Sequence, residues 1–213
     1  RNNRILVYQG LRRMRAGLVR PGLRALAEVA GRALGNISAQ DLGYALGPRL
    51  NAAGRLDDMS IGIQCLLAPD LLAARSIATA LDELNKTRRE IELSMTSEAT
   101  VLIDDSDAHQ GSAICVYDEG WHQGVIGIVA GRMRERFHRP VIAFADAGEN
   151  SPNELKGSAR SIRGLHIRDA IDDVATRYPG LIEKFGGHAM AAGLTVAADK
   201  VEALADFLDE RLA

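Results

Sequence analysis

The chain has 213 residues, of which 46% are hydrophobic, and a formal net charge of −2. That size fits one large domain or two small ones with a real core. Free-standing nucleic-acid binders are usually basic and stack bases on aromatic rings. A negative net charge and 4% aromatic residues therefore argue against strong nucleic-acid binding by this chain alone. No apolar run is long enough to cross a bilayer, so we expect no membrane contact.

The N-terminal third is predicted to be helical and basic. Residues 1–60 carry ten Lys or Arg against four Asp or Glu. A first helix is predicted over 3–16 and a second from Pro21, since proline suits the first helical turn. Ser38 with Asp41 has the spacing of a helix N-cap pair. The excess of arginine is typical either of a solvated helical face or of a surface that faces phosphates.

The segment 47–56, GPRLNAAGRL, is bounded by glycines and is predicted to be a loop. Arg49, Asn51 and Arg55 place two guanidinium groups and an amide within it. Such groups suit a sugar-phosphate backbone or a base edge, so the three residues are candidates for nucleic-acid contact. The alternative is hydrogen bonding between the loop and the core, which Asn51 alone could satisfy.

A long charged helix is predicted from 71 to about 103, because apolar residues recur at helical spacing. Helices of this kind often bridge two domains. Beyond it, strands are predicted over 112–117, 140–145, 155–161 and 193–197, and helices over 123–137, 166–178 and 200–212. The pattern indicates a mixed α/β (α+β) fold: a helical segment, a connecting helix, and a domain with a mixed sheet flanked by helices.

Alternation in the third predicted strand sends Lys156, Ser158 and Arg160 to one face. Two cations beside a hydroxyl suit a phosphate, because an arginine fork engages two oxygens. An exposed edge strand with ordinary charges is the alternative.

The sequence FGGHAMAAG at 185–193 predicts either a tight turn or a ligand loop that presents His188 next to Gly187. In WHQGVIG at 121–127, His122 precedes a predicted helix and is a further ligand candidate, whereas Gly127 and Gly131 indicate close packing.

Several catalytic signatures are missing from the sequence. It has no Cys-x-x-Cys or His-x-x-x-His pair, no Gly-x-Ser-x-Gly elbow and no phosphate-cradling Gly-Lys-Ser/Thr loop. Metal-assisted phosphodiester hydrolysis needs several clustered Asp or His ligands, which the chain does not visibly supply. We therefore predict neither a catalytic residue nor a metal ligand. Cys65 and Cys115, both in apolar surroundings, indicate a reducing compartment, and we expect a cytoplasmic protein.

Four motifs in order, 47–58, 121–127, 156–161 and 185–189, closely resemble the RecJ family of the DHH phosphoesterase superfamily. The resemblance implies a 5′-to-3′ exonuclease specific for single-stranded DNA, with two manganese or magnesium ions held by an N-terminal DHH domain. The Asp-His-His motifs of that domain and the OB-fold of full-length relatives are missing here. The chain would comprise the helical end of a DHH domain (1–69), a connecting helix (70–108) and a DHHA1 substrate-binding domain (109–213).

By the same resemblance, Ser158 and Arg160 hold the 5′ phosphate, and Gly187 and His188 face DNA near the metals. Arg49, Asn51 and Arg55 match a DNA-contacting loop. No metal is expected on this chain, and the expected partners are single-stranded DNA and a single-stranded-DNA-binding protein. Two alternatives stay open. One is a non-catalytic nucleic-acid-binding or assembly module, and the other is part of a DHH phosphodiesterase acting on short RNA or cyclic dinucleotides.

Overall fold

The computed structural model describes residues 2–105, 111–148 and 151–212. The chain divides into two compact units, 1–90 and 91–213, and the division falls inside one long helix. The mixed α/β fold expected from the sequence is confirmed. The predicted boundary at 108/109 lies outside the described residues, so the predicted division into three parts stays a prediction.

The first unit is all-helical. Its elements are α1 (Asn2–Arg15), α2 (Pro21–Val29), a short α3 (Ala39–Asp41), a π-helical turn (Leu42–Leu46), α4 (Gly47–Leu56), α5 (Ser60–Leu67) and the first part of α6 (Leu71–Asp105). Its core consists of small and aliphatic side chains, with Leu26, Ile37 and Leu81 fully buried. The predicted cap is present, since the Ser38 hydroxyl accepts from the Asp41 backbone N–H at 3.2 Å.

The second unit contains the sheet. Its strands are β1 (Ile114–Tyr117), β2 (Val141–Asp146), β3 (Glu154–Arg160), β4 (Lys184–His188) and β5 (Ala191–Ala197), in the spatial order β1-β2-β3-β5-β4. Strands β1 and β2 are parallel and are joined through α7 (Ile126–Phe137), whereas the other pairs are antiparallel. Helices α8 (Ile167–Arg177) and α9 (Val201–Leu212) complete the unit.

The two faces of the sheet are covered differently. One face packs on α8 and α9 around buried Ile142, Phe144, Leu155 and Leu194, so this side is a closed core. On the other face α7 packs against β2 and β3. The polar side chains of β3, β5 and β4 point to that second face, and they are partly exposed or exposed.

Two local predictions are corrected by the structure. The segment 47–56 is the helix α4 and not a loop, because Pro48 occupies its first turn and the chain runs into it without a break from the π-helical turn. The segment around Gly187 and His188 is the edge strand β4 and not a turn or loop, because its backbone pairs with β5 over five residues.

Candidate nucleic-acid interface

The polar face of β3 forms the centre of the candidate site. Strand β3 alternates between buried Leu155, Gly157 and Ala159 and the more exposed residues on the other face, which are Glu154, Lys156, Ser158 and Arg160. This confirms the predicted alternation and brings two cations and a hydroxyl to one surface. Glu154 is the single acid that β3 contributes to that surface.

Arg160 and Ser158 form a pair. The guanidinium Nη1 of Arg160 donates to the Ser158 hydroxyl at 3.0 Å and to the Ala159 carbonyl at 2.8 Å. The hydroxyl thus accepts one hydrogen bond and keeps its own hydrogen to donate. A cationic fork and a hydroxyl donor that are fixed against each other are suited to a phosphate oxygen.

The first turn of α7 lies directly against this pair. A β-carbon on Gly127 would lie 2.7 Å from Arg160 Nη2 and 2.9 Å from Ser158 Oγ, closer than real side chains approach. Glycine at this position therefore lets the start of the helix reach the pair. The N–H groups of Ile126 and Ile128 are bonded within the preceding turn, so the contribution of the helix start is its partial positive charge, which favours an anion at this place.

The register of β3, β5 and β4 extends the site across the sheet. Arg160 pairs with Ala191, which in turn pairs with His188, so Arg160 and His188 occupy one row of one face. In the next row, Ser158 pairs with Gly193 and Gly193 with Gly186. The structure therefore brings the predicted residues Ser158, Arg160 and His188 onto a single surface.

Gly187 has a different part in the site. It pairs with Ala192, so it points to the face opposite His188. Its φ is +149°, and a β-carbon there would overlap the Ala191 carbonyl oxygen and the Ala192 backbone. Only glycine fits this close pairing. Gly187 thus shapes the strand that carries His188 and directs nothing toward the polar face.

The turn after His188 is fixed to the segment that follows β3. The backbone N–H of Ser161 donates to the Met190 carbonyl at 3.0 Å, and that of Ile167 to the Ala189 carbonyl at 3.0 Å. Both ends of the row that holds Arg160 and His188 are therefore anchored to the same loop.

His122 lies in the turn that precedes α7. Its Nδ1 accepts from the Gly124 backbone N–H at 3.0 Å, so this nitrogen stabilises the turn. The neighbouring Trp121 is buried and donates from its indole nitrogen to Glu98 at 2.9 Å. The predicted DNA contact of His122 stays a prediction.

In the first unit, the three predicted residues of α4 have different environments. Arg49 forms an ion pair with Asp82 at 2.7 Å and also donates to the Ala45 carbonyl at 2.7 Å, both at largely buried positions. This contact ties α4 to α6. Asn51 and Arg55 are exposed and lie four residues apart, which places them on one helical face. Nucleic-acid contact by these three residues stays a prediction.

The basic excess of the first helices is partly used inside the unit. The Arg15 side chain donates to the Ile37 carbonyl at 2.9 Å, and that of Arg24 to the Gly17 carbonyl at 3.3 Å. These two arginines therefore hold neighbouring segments together.

Comparison with known proteins gives the chain a family. Residues 110–213 match the DHHA1 domain family. The chain is 55% identical over 202 residues to the single-stranded-DNA-specific exonuclease RecJ of Escherichia coli, covering 93% of this chain and 34% of that protein. It is 55% identical over 204 residues to RecJ of Dickeya dadantii, covering 94% and 35%.

Among solved structures, RecJ of Thermus thermophilus in complex with Mn²⁺ superposes with a TM-score of 0.82 at 31% identity, covering 98% of this chain and 29% of that one. The chain belongs to the RecJ family. It spans about a third of the length of the RecJ proteins that it matches. The activity, substrate and partners of a complete RecJ protein therefore enter below as proposals.

The RecJ relatives raise the question of divalent metals, since structures of the Thermus protein contain Mn²⁺ or Mg²⁺. Within residues 2–105, 111–148 and 151–212, no three His, Cys, Asp or Glu side chains come together in a way that could hold a metal ion. These residues do not fit a metal centre, and no chemical step is assigned to a metal here. Among the same residues, no helix has the length and apolarity to span a membrane.

Two features of this RecJ-type surface were missed or undervalued in the sequence. Lys184 and Thr195 share a row with Lys156, which becomes visible only through the register of β4 and β5. Gly127 was attributed to packing, which the structure bears out, but its packing partners were not foreseen: a β-carbon there would lie 2.7 Å from Arg160 Nη2 and 2.9 Å from Ser158 Oγ. The alternation of polar and apolar residues in 184–188 could have predicted a strand, but Gly186 and Gly187 interrupt that pattern.

Proposed function

We propose that this chain is the part of a 5′-to-3′ single-stranded-DNA-specific exonuclease that binds the 5′ end of the strand. The observation that carries the proposal is the Arg160–Ser158 hydrogen bond of 3.0 Å, placed against the first turn of α7 on the open face of the sheet. Its support from relatives is the name that the matching proteins share, single-stranded-DNA-specific exonuclease.

In this proposal the terminal 5′ phosphate binds where the Arg160 guanidinium, the Ser158 hydroxyl and the first turn of α7 converge. Charge-assisted hydrogen bonds from the guanidinium orient the phosphate, and the helix terminus adds favourable electrostatics. His188, in the same row as Arg160, contacts the strand next to its end. Fixing the strand end in this way supplies positioning, which can account for a large share of an enzymatic rate.

Manganese or magnesium ions, which the Thermus structures contain, would supply polarisation of the phosphodiester and activation of water in a complete enzyme. We propose that residues in the part of the longer relatives that this chain does not match hold those ions. We further propose single-stranded DNA as substrate, a single-stranded-DNA-binding protein as partner, and a cytoplasmic location.

The proposal is tested by the affinity of this chain for two short oligonucleotides that differ only in a 5′ phosphate. We expect tighter binding of the phosphorylated one. Arg160→Ala should remove about 1.5–3 kcal/mol of this preference, because hydrogen bonds to charged groups have that magnitude. This corresponds to roughly tenfold or more in affinity, measured by isothermal titration calorimetry.

Arg136→Ala is the matched control. Arg136 lies in the last turn of α7, is exposed, and is 3.9 Å from Asp104, so its loss removes one arginine from the same unit away from the site. The control should keep the full preference for the 5′ phosphate. Equal affinity of the unaltered chain for both oligonucleotides would contradict the proposal and would favour a non-catalytic assembly role.

A further inference from the structure

A second group of donors lies one row from Ser158 and two rows from Arg160. Lys156 pairs with Thr195, and Thr195 pairs with Lys184, so the three side chains occupy one row of the open face. Side chains directly opposite each other across antiparallel strands have β-carbons about 4.5–5.5 Å apart. Two ammonium groups therefore flank one hydroxyl. Both lysines are exposed, and Thr195 is half-buried.

This row lines a recess in the sheet surface. The recess is bounded by Lys156, Thr195 and Lys184, and its wall includes Gly193. A β-carbon on Gly193 would meet only the Gly157 carbonyl oxygen, at 3.9 Å, and one on Gly186 would meet no atom within 4 Å. Gly193 and Gly186 lie in the row of Ser158, between the Lys156 row and the Arg160 row. Bare backbone therefore forms the floor at this place and leaves room for a bound chain.

The row carries two positive charges, and the one acid that β3 places on the same face is Glu154. Within the part of the chain that the structure describes, neither Lys156 nor Lys184 has an ion-pair partner, in contrast to Lys86, which contacts Asp82 and Glu83. Lys156 and Lys184 stand two strands apart, about 9.4–9.8 Å at their backbones, so their like charges repel each other across Thr195. The chain has only four lysines, and two of them share this row. A bound anion would offset the repulsion between them.

The distance between the two rows suits a strand of nucleic acid. Lys156 and Ser158 are two residues apart on β3, which corresponds to about 6.6–6.8 Å along a strand. Successive phosphates of an extended single strand have a separation of this order. We propose that Lys156, Thr195 and Lys184 bind a second phosphate of the strand whose 5′ phosphate is held by Ser158 and Arg160. This inference rests on the proposed function, because it takes that end as the origin of the strand.

The test uses this chain with the trinucleotide pdTpdTpdT and two analogues. In each analogue one internal linkage, the first or the second, is a neutral methylphosphonate. A fourth probe lacks the 5′ phosphate. We expect one of the two analogues to bind about threefold to tenfold more weakly than pdTpdTpdT. This is the effect of losing one or two exposed charge pairs. The variant Lys156→Gln/Lys184→Gln should bind that analogue and pdTpdTpdT with equal affinity.

The matched control is Lys86→Gln/Lys200→Gln, which removes the same charge at positions outside the row. It should retain the full sensitivity to the methylphosphonate, and thermal unfolding should show both double variants folded. Three outcomes are distinguishable. In the first outcome, removal of the 5′ phosphate weakens binding, but the two lysine substitutions leave the effect of both methylphosphonates unchanged. The second phosphate site is then wrong and the proposed function stands. If removal of the 5′ phosphate has no effect, the proposed function fails. If none of the probes binds, both fail.

Discussion

At the scale of single residues, Gly127 decides how closely the first turn of α7 approaches the Arg160–Ser158 pair. The first turn of α7 reaches the pair because residue 127 has no side chain. Sequence reasoning assigned this glycine to close packing but could not identify the packing partners, because Ser158 and Arg160 are more than 30 positions away along the chain. The shared face of Ser158 and Arg160 was predictable from the alternation along β3. The approach of α7 to these two side chains was not predictable.

Gly127→Ala should weaken the preference for a 5′ phosphate without unfolding the chain. The added methyl group would lie 2.7 Å from Arg160 Nη2 and 2.9 Å from Ser158 Oγ, so these flexible ends must move from their places. We expect most of the contribution that Arg160→Ala removes to be lost, about 1–3 kcal/mol. The measurement is the ratio of affinities for phosphorylated and unphosphorylated oligonucleotides.

Gly131→Ala, one helical turn later in α7, serves as the control. A β-carbon there meets no atom within 4 Å, and alanine is favoured over glycine inside a helix by about 0.5–1 kcal/mol. This variant should therefore be slightly more stable and bind as the unaltered chain does. An unchanged phosphate preference in Gly127→Ala would mean that the pair does not hold the phosphate.

At the scale of elements, helices with clear caps were predictable and two segments were not. Pro21 and the Ser38–Asp41 pair indicated helix starts that the structure confirms. Strand β4 was missed because Gly186 and Gly187 lack the branched side chains typical of strands. Helix α4 was missed because its glycines and Pro48 resemble turn residues. The Arg49–Asp82 ion pair was unpredictable, since its partners are 33 positions apart.

The cap of α3 gives a prediction about stability and pH. Hydrogen bonds from the Ser38 hydroxyl, then from its backbone N–H, together with the nearby Arg32, lower the pKa of Asp41 below its ordinary value. A carboxyl whose pKa is lower in the folded than in the unfolded chain stabilises the fold above its unfolded pKa. This contribution is lost as pH falls through the folded value.

Asp41→Asn should therefore be less stable than the unaltered chain at pH 7, and the difference should shrink as the pH falls below about 4. Urea unfolding at pH 7 and pH 3, followed by circular dichroism, measures it. The same unfolding measurement on Asp70→Asn provides a comparison at a second helix start. There the Asp70 carboxylate accepts a hydrogen bond from the Ala73 backbone N–H at 2.9 Å. A difference for Asp41→Asn that is constant over this range would show that the carboxylate charge does not stabilise the cap.

At the scale of the whole molecule, the chain contains the surface proposed for a strand end, and its described residues include no set of side chains that could hold a metal. The resemblance and the missing ligand patterns predict a substrate-binding part without metal ligands, and this division of labour stays a prediction. What the sequence could not provide was the register of three antiparallel strands, which unites Lys156, Thr195 and Lys184.

The 213-residue chain by itself should not release nucleotides from 5′-phosphorylated single-stranded DNA in the presence of Mn²⁺ or Mg²⁺. Hydrolysis of this kind needs clustered metal ligands, and binding of a strand end supplies only positioning. Release of mononucleotides is measured by chromatography, with the complete RecJ protein of a relative as positive control. Metal-dependent release by the chain, abolished by a chelator, would contradict this prediction.

The pair Gly186 and Gly193 has a consequence for what this surface can discriminate. Recognition of a base needs donors and acceptors that match its edge, and a floor of bare backbone next to Ser158 offers no side chain for this purpose. In the proposed function, the charged groups on either side contact phosphates, which are the same at every nucleotide. A surface built in this way is indifferent to base identity, and the proposed site would therefore accept the 5′ end of any sequence.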